Sequence, residues 1–243
     1  MLTERGRAPH LTEAPGGGWR LSGWASSRVV AGLTSRHVEA SRLLQDLHPS
    51  ATMVEAEQVH GSSIAVIAHA PPPAGMAGNT PTAVPGCDAL LTHVAGVALG
   101  VRTADCLPLF FADPGRGAVG IAHVGWRGLV GHLPARVVAA FRHVYQTWPR
   151  ELAVAIGPAI RACCYEVGPE FAGQFGPFVQ ERGARRTCDL VGVAVDQLRR
   201  CGVRTGQILD TGQCTACDVQ RWYSLRQEGP ATGRLTSLIM LRP

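Results

Sequence analysis

The sequence predicts a mixed α/β fold, in which sheets contain both parallel and antiparallel strands. Between residues 87 and 125, four short apolar segments follow one another, as expected for consecutive strands. Helical and strand-like segments alternate along the chain without the regular period of repeated βαβ units, which argues against a doubly wound parallel sheet. With 243 residues and 46% hydrophobic content, the chain is long and apolar enough to bury a substantial core.

The N-terminal part begins with a weakly patterned segment. Residues 1–18, ending in "APGGG", are predicted to be a flexible lead-in, and residues 19–243 a single domain. After a segment of β-type composition, residues 37–48 predict a short amphipathic helix. Residues 53–70 predict two strands that meet near His60, and the Pro- and Gly-rich residues 70–86 a surface loop.

The middle of the chain is the densest in strands. The segments "CDALLTHV", "GVALGVRTADC", "LPLFFADP" and "GAVGIAHVG" are the four predicted strands, and "DPGRG" between the last two has the composition of a hairpin turn. Residues 126–148 predict one long helix in spite of Pro134. The remaining predictions are strands within 151–160, 203–212 and 234–243 and helices at 169–180 and 188–202.

The composition excludes mechanisms that depend on lysine. All 23 basic residues are arginine, so a Schiff-base lysine or a Walker-type phosphate lysine is impossible. The net charge of +5 is spread without a basic block, so nothing in the pattern calls for nucleic acid. The N-terminus "MLTERGRAPH" lacks an apolar signal region and no apolar run is long enough to span a membrane. We therefore expect a cytoplasmic protein with reduced thiols.

One cysteine and two histidines lie at junctions between predicted strands and loops. Cys106 follows the strand "GVALGVRTAD", His123 ends the strand "GAVGIAH", and His60 directly precedes Gly61. Loop junctions on a rigid sheet are where reactive side chains usually lie. A thiolate with two imidazoles suits zinc and leaves a fourth position open to water or substrate. The opposing interpretation is ordinary packing, because the spacings match no compact zinc-finger signature.

The other cysteines offer rival sites. Cys214 and Cys217 have the CxxC spacing of zinc ribbons and redox motifs, but no second CxxC accompanies them. The adjacent Cys163 and Cys164 are predicted to pack and to shape a loop, because neighbouring residues do not readily aim both thiols at one metal. The remaining three are predicted to be small apolar residues, namely Cys87, Cys188 and Cys201.

A series of motifs resembles the YfiH-like family from about residue 52 to the C-terminus. The motifs are "EQVHG", "DALLT", "TADCLPLFF", "AHVGWRG", "AIGPAIRACCYEVG" and "YSLRQEGPATGRLTSLIML". The family is described as purine nucleoside phosphorylases with adenosine deaminase activity, and earlier as multicopper polyphenol oxidoreductases or laccase-like proteins. The resemblance implies a four-layer α/β/β/α sandwich with mixed sheets. It also implies a zinc ion bound by His60, Cys106 and His123.

The implied reaction is phosphorolysis of adenosine, inosine, guanosine or methylthioadenosine to a free base and a sugar 1-phosphate, together with deamination of adenosine. Copper is less expected than zinc, because the remaining histidines are not clustered as further copper centres would require. The expected partners are a purine nucleoside and phosphate, without nucleic acid or membrane, and the sequence is compatible with a homodimer.

The residues suggest roles in that reaction. Cys106, His123 and Asp105 are the predicted catalytic set, and Asp105 and Asp88 are the candidate proton carriers. The predicted substrate-binding residues are Arg127 and Arg226 for phosphate, together with Asp88. The sequence departs from the family pattern in two places, and both bear on the implied activity. The segment "VVAGLTSRHVEASRLLQDL" lacks a loop that family members carry, and Gln227 stands where the family often has a second arginine.

Two alternatives remain open at the level of the sequence. Cys106 as a thiolate nucleophile with His123 as base would make a Cys–His amidase or hydrolase, acting on a peptidoglycan precursor or a similar amide. Some family members are linked to editing of such precursors. A structural zinc protein without catalysis would instead need a fourth protein ligand, for which His93 and Cys87 are the candidates.

Overall fold

The computed structural model describes residues 10–23, 25–71, 81–183 and 185–243. Within these ranges the chain forms fifteen strands and six α-helices. In chain order they are β1 (His10–Glu13), β2 (Trp19–Ser22), β3 (Val29–Leu33), α1 (Ala40–Leu47), β4 (Thr52–Ala56), β5 (Ile64–Ile67), β6 (Thr82–Val84), β7 (Ala89–Thr92), β8 (Val97–Thr103), β9 (Leu107–Asp113), β10 (Ala118–Val124), α2 (Trp126–Val130), α3 (Leu133–Tyr145), β11 (Ala153–Ile156), α4 (Glu170–Phe175), β12 (Val179–Arg182), β13 (Arg185–Cys188), α5 (Leu190–Arg200), β14 (Ile208–Asp210), α6 (Leu225–Glu228) and β15 (Leu235–Leu241). Short 3₁₀ helices lie at Pro149–Glu151, Gly176–Phe178 and Thr205–Gln207.

Two large sheets organise the fold. The first has the strand order β1-β2-β3-β15-β8-β4-β6, and the second has the order β14-β11-β9-β10-β7-β5. Both are mixed: β15 is antiparallel to β3 and β8 while β4 is parallel to β8, and β10 is antiparallel to β9 and β7 while β5 is parallel to β7. The predicted mixed α/β fold class is therefore confirmed.

The layers follow from where the apolar residues are buried. One core lies between the two sheets and joins residues such as Leu99 of β8 to Phe110 of β9. A second core packs α1, through Leu43 and Leu47, on the outer face of the first sheet. The largest core packs α3 and α5 on the outer face of the second sheet. The order of layers is α/β/β/α, which confirms the architecture that the motif resemblance implies.

Strand β9 shows why this architecture needs a continuous apolar sequence. All seven residues of "LPLFFAD" are buried. Because successive side chains in a strand point to opposite faces, Phe110 packs between the sheets while Phe111 packs against the helices. A strand covered on both faces needs apolar residues at every position rather than at alternate ones.

The predicted hairpin is confirmed, since β9 and β10 pair antiparallel across the "DPGRG" turn. The prediction of one helix over 126–148 is wrong, because the chain forms α2 and α3 with a break between them. His132 has a left-handed φ of 56° at this break, and Pro134 lies in the first turn of α3. Proline is tolerated there because first-turn amides have no partner within the helix.

Three further segments differ from their predictions. The helix predicted at 169–180 ends at Phe175, and Val179–Arg182 instead forms β12, which pairs with β13. Part of the predicted lead-in is a strand, because His10–Glu13 pairs antiparallel with Trp19–Ser22. Part of the predicted loop at 70–86 is β6, which adds to β4 in parallel. Residues 1–9 and 72–80 of those two segments lie outside the described residues.

Across the described ranges, none of the helices combines the length and apolar character needed to cross a bilayer.

Candidate metal centre

His123 reaches the centre from the C-terminal end of β10. Its side chain is 3% exposed, and Nδ1 lies 2.8 Å from Oδ1 of Asp88. This hydrogen bond fixes the ring plane and leaves Nε2 as the nitrogen available to a ligand. Burial opposes the charged ring, but Asp88 and the Cys106 thiolate outweigh it and raise the pKa of His123 to about 9.

Asp88 anchors a second candidate ligand as well. Besides His123, it accepts hydrogen bonds from the backbone amides of His60 at 3.0 Å and Gly61 at 2.7 Å. Burial alone would raise the pKa of Asp88, but the hydrogen bonds from His123 and these amides lower it. The side chain is fully buried and engaged at both oxygens. These contacts suit a residue that positions the two histidines, and the predicted role of Asp88 in substrate binding or proton transfer stays a prediction.

His60 is presented by a loop in an uncommon backbone conformation. His60 and Gln58 both have positive φ angles, of 58° and 66°. The Gln58 amide holds the loop to β8, because Nε2 donates to the Arg102 carbonyl at 2.6 Å and Oε1 accepts from the Arg102 amide at 2.7 Å. Such conformations persist only where surrounding contacts determine them, and they cluster at functional sites. The His60 ring lies edge-on to the ring of His123, with centroids 4.7 Å apart.

Cys106 lies in the sharp connection between β8 and β9, next to Asp105, whose φ is 86°. The carboxylate of Asp105 is almost buried and accepts three hydrogen bonds, from Thr215 Oγ1 at 2.6 Å, Ser224 Oγ at 2.7 Å and the amide of Arg226 at 2.6 Å. All three donors belong to the segment that precedes β15. Both oxygens of Asp105 bind this segment, which suits a positioning role, and its predicted role as a catalytic acid stays a prediction.

The three predicted ligands come together, with their donor atoms within 4.8 Å of one another. Burial raises the pKa of Cys106, but hydrogen bonds and charge from His123 and His60 outweigh it and lower the value to about 7. The lowered pKa favours the thiolate, which is the form of cysteine that binds metal. One thiolate and two imidazoles suit a borderline-soft ion such as zinc, so the residues fit the implied metal.

Gly125 allows this close approach. A Cβ atom at this position would lie 3.1 Å from Cys106 Sγ and 3.6 Å from Cδ2 of His60. The glycine of "HVGWRG" therefore leaves room for two of the candidate ligands.

The three donors lie on the wall of an open cleft of about 440 Å³. The other residues that line it are Glu57, Gln58, Arg102, Ala104, Leu225, Thr232 and Arg234. In the described part of the chain the ligand group has three members, and the two candidates for a fourth ligand are engaged elsewhere. Cys87 Sγ donates to the Val84 carbonyl at 3.4 Å, and the His93 ring packs near Tyr145. An ion held by these three residues would therefore have its further ligand supplied from the cleft.

The cleft contains different arginines from those predicted. Cζ of Arg127 lies 4.4 Å from the centroid of the Trp126 ring, on which the guanidinium group stacks. Nη1 of Arg226 donates to the Glu166 carbonyl at 2.6 Å. Neither is among the residues that line the cleft, which include Arg102 and Arg234, and the phosphate-binding role predicted for Arg127 and Arg226 stays a prediction. The sequence holds one signal for Arg102. It is the charged residue in the apolar segment "VALGVRT", and in the structure it is the exposed residue of an otherwise buried strand.

Known proteins resemble this chain in sequence and in fold. The family model described as "Multi-copper polyphenol oxidoreductase laccase" matches residues 34–242. A relative named "Purine nucleoside phosphorylase YlmD" from Geobacillus stearothermophilus is 31% identical, over 95% of this chain and 97% of its own length. A protein named "Adenosine deaminase RL5", from an unknown prokaryotic organism, is 33% identical over 63% of this chain and 61% of its own length. The crystal structure of YlmD from G. stearothermophilus superimposes with a TM-score of 0.81 and 27% identity, covering 97% of this chain and 100% of that one.

Proposed function

The chain belongs to the multi-copper polyphenol oxidoreductase laccase family, and from this membership we propose that it is a zinc-dependent purine nucleoside phosphorylase. The relative that matches nearly the whole chain carries that activity in its name, and a second relative is named an adenosine deaminase. We accordingly include deamination of adenosine as a second activity. The proposed substrates are adenosine, inosine, guanosine and methylthioadenosine, with phosphate as the attacking group. We place the enzyme in the cytoplasm, where the thiol of Cys106 stays reduced.

Zinc is preferred to copper because of the residues around the centre. Oxidation of polyphenols by dioxygen through copper needs further copper centres beyond a His₂Cys site. Among the described residues, the other group able to hold a metal consists of four cysteines and contains no histidine. The proposed zinc ligands are His60, Cys106 and His123.

The observation that carries the proposal is the cleft that joins this ligand set to two arginines. Arg102 lies in β8 and Arg234 directly precedes β15, and the two strands are hydrogen-bonded neighbours in the first sheet. A guanidinium group presents a rigid fork of donors that matches phosphate oxygens, which suits a protein without lysine. We assign phosphate binding to Arg102 and Arg234.

The remaining cleft residues supply polar groups for the nucleoside. Gln58 and Thr232 offer hydrogen-bonding groups at the cleft wall, and Leu225 offers apolar surface for a base. Glu57 is the carboxyl group that lines the cleft, so we assign it proton transfer to or from the base. When bound, the metal ion would supply a Lewis acid at the position that faces the cleft.

The direct test is incubation of the purified protein with each of the four nucleosides, with and without phosphate, followed by chromatography of bases and sugars. Phosphorolysis gives a free base and a sugar 1-phosphate only when phosphate is present. Deamination converts adenosine to inosine without phosphate. Free base released equally fast without phosphate would indicate plain hydrolysis and contradict the proposal.

Replacing Arg234 by alanine tests the assignment of the phosphate site. A hydrogen bond to a charged group is worth about 1.5–3 kcal/mol, so we expect the KM for phosphate to rise roughly 10- to 150-fold. Steady-state kinetics at varied phosphate measures this change, and the KM for the nucleoside should change much less. Arg127→Ala is the matched control, because Arg127 lies on Trp126 outside the cleft. If Arg127→Ala raises the KM for phosphate and Arg234→Ala does not, the assignment of the phosphate site is wrong.

A second candidate function has one observation in its favour. His123 lies between Cys106 and the carboxylate of Asp88, and the pKa of Cys106 is lowered to about 7. This is the arrangement of a Cys–His nucleophile with an orienting acid, as in an amidase acting on a peptidoglycan precursor. Iodoacetamide would then inactivate the enzyme without loss of metal, and chelation would leave the activity intact. The zinc mechanism predicts that complete chelation removes the activity.

A further inference from the structure

Four thiols converge at a second place in the fold, outside the cleft. The donor atoms of Cys163, Cys164, Cys214 and Cys217 lie within 4.8 Å of one another, and all four cysteines are free. The sulfur–sulfur distances are 3.7 Å between Cys163 and Cys214, 3.5 Å between Cys163 and Cys217, and 3.3 Å between Cys164 and Cys217. We propose that these four cysteines bind one zinc ion as a structural tetrathiolate site.

The geometry matches a tetrahedral ion more closely than it matches a disulfide. Zinc–sulfur bonds of about 2.3 Å in a tetrahedron place the sulfur atoms roughly 3.8 Å apart. A disulfide would need about 2.05 Å between two of them. Four sulfur ligands in a tetrahedral arrangement favour zinc or an iron–sulfur cluster, and a set confined within 4.8 Å suits a single ion. Four protein ligands leave no open position, which marks a structural site rather than a catalytic one.

The backbone explains how adjacent cysteines contribute together, contrary to the prediction that they would only pack and shape a loop. The amides of Cys164 and Tyr165 both donate to the Arg161 carbonyl at 2.8 Å, so the chain turns tightly through Cys163 and Cys164. This turn brings both sulfur atoms next to Cys217, and its CxxC partner Cys214 lies beside Cys163.

The two cysteine-bearing segments are held together by protein contacts. The amide of Thr215 donates to the Ala159 carbonyl at 3.1 Å, and the amide of Ala159 donates to the Gln213 carbonyl at 3.3 Å. Arg161 Nε also donates to the Gln213 carbonyl, at 3.2 Å. The thiols are therefore gathered by the fold, and Cys163 and Cys217 are exposed enough for an ion to enter from solvent.

The four-cysteine cluster is also connected to the candidate metal centre in the cleft. Thr215 lies between Cys214 and Cys217 and donates its hydroxyl hydrogen to Asp105, the neighbour of Cys106. An ion that binds the cysteines would fix the segment that anchors Asp105, and through it the connection that carries Cys106. The inference concerns metal binding at separate residues, so it does not rest on the nucleoside chemistry proposed for the cleft.

Metal analysis of protein purified under reducing conditions in the presence of zinc tests the site. We expect about two zinc ions per chain in the wild type and about one in Cys214→Ser/Cys217→Ser. Cys201→Ser is the matched control and should keep both ions, because Cys201 lies outside the cluster. His60→Asn should lose only the ion of the cleft. A zinc content that is the same in the double variant and the wild type would overturn the proposal.

A second measurement leaves the four cysteines intact, so it does not depend on whether the double variant folds. In Cys106→Ser the cleft retains no thiolate ligand, and any thiolate-to-cobalt charge-transfer absorption after loading with Co²⁺ must come from the four-cysteine cluster. The expected spectrum is that of tetrahedral cobalt with sulfur ligands, abolished by excess zinc. Absence of this absorption, or a disulfide among the four cysteines in the reduced protein, would overturn the proposal. Absence of nucleoside phosphorolysis in the wild type, with this cobalt spectrum present in Cys106→Ser, would count against the proposed function alone.

Discussion

Replacing His60 by asparagine is expected to remove the metal of the cleft and to lower phosphorolysis by roughly 10³-fold or more. Lewis-acid stabilisation of a transition state is worth several kcal/mol, and each factor of ten in rate corresponds to about 1.4 kcal/mol. Asparagine is chosen because His60 has a φ of 58°, a conformation that asparagine adopts more easily than alanine. The change therefore removes the imidazole with little added backbone strain. Metal content and kcat/KM measure the two effects.

His132→Asn is the matched control for this variant. His132 is exposed, has a φ of 56°, and lies outside the ligand group, so its replacement should leave metal content and rate unchanged. The comparison also separates the two enzyme mechanisms. In a Cys–His hydrolase the nucleophile and its base are Cys106 and His123, and His60 would be dispensable. Full activity of His60→Asn after loss of its metal would therefore refute the zinc mechanism and favour the thiol one.

The convergence of the three candidate ligands could be predicted because they occupy recognisable local positions. Cys106 and His123 flank a hairpin whose turn and register follow from "DPGRG", and β10 pairs His123 with Pro108, two residues beyond Cys106. A hairpin brings such residues together through short-range contacts alone. His60 belongs to a different segment. Its position at a strand–loop junction makes it a candidate ligand, and the motif resemblance implies its place in the set.

The roles of the acids and arginines could not be predicted in the same way. The sequence places Asp105 beside Cys106, but its side chain points to Thr215, Ser224 and Arg226, more than 100 residues later. Those contacts depend on β15 pairing with β8, a long-range pairing that no local pattern encodes. The same pairing brings Arg234 next to the strand of Arg102. Proximity in sequence therefore does not show which acids and arginines face the cleft, and the roles predicted for Asp88, Asp105, Arg127 and Arg226 stay predictions.

The prediction of one helix over residues 126–148 is wrong for a more local reason. The apolar periodicity of residues 126–148 continues through the break between α2 and α3, so periodicity alone predicts one helix. Pro134 was the available signal, because proline favours the first turn of a helix over its interior. The break has a consequence for the site, since α2 is short and begins directly after Gly125, beside Cys106.

Asp88→Asn is expected to weaken metal binding in the cleft by about 10- to 100-fold, the range typical for loss of a partner that orients a metal ligand. An asparagine oxygen can still accept from His123, but its NH₂ group would face the amide of Gly61, and two donors would then oppose each other. The carboxylate that raises the pKa of His123 and fixes its ring would also be lost. Competition with a chromophoric chelator measures the affinity, and denaturant unfolding of the metal-free protein measures stability.

Asp113→Asn is the control that separates loss of His123 positioning from a general loss of protein stability. Asp113 is also a buried carboxylate, and it accepts hydrogen bonds from Thr147 Oγ1 at 2.7 Å and the Arg116 amide at 3.0 Å, but it lies at the opposite end of β9 from Cys106. Both variants should lose about 1–3 kcal/mol of unfolding free energy, because each leaves a buried polar group without a partner. Only Asp88→Asn should lose metal affinity. Equal affinities in the two variants would show that Asp88 supports the fold without orienting His123, and the centre would then depend on the three ligands alone.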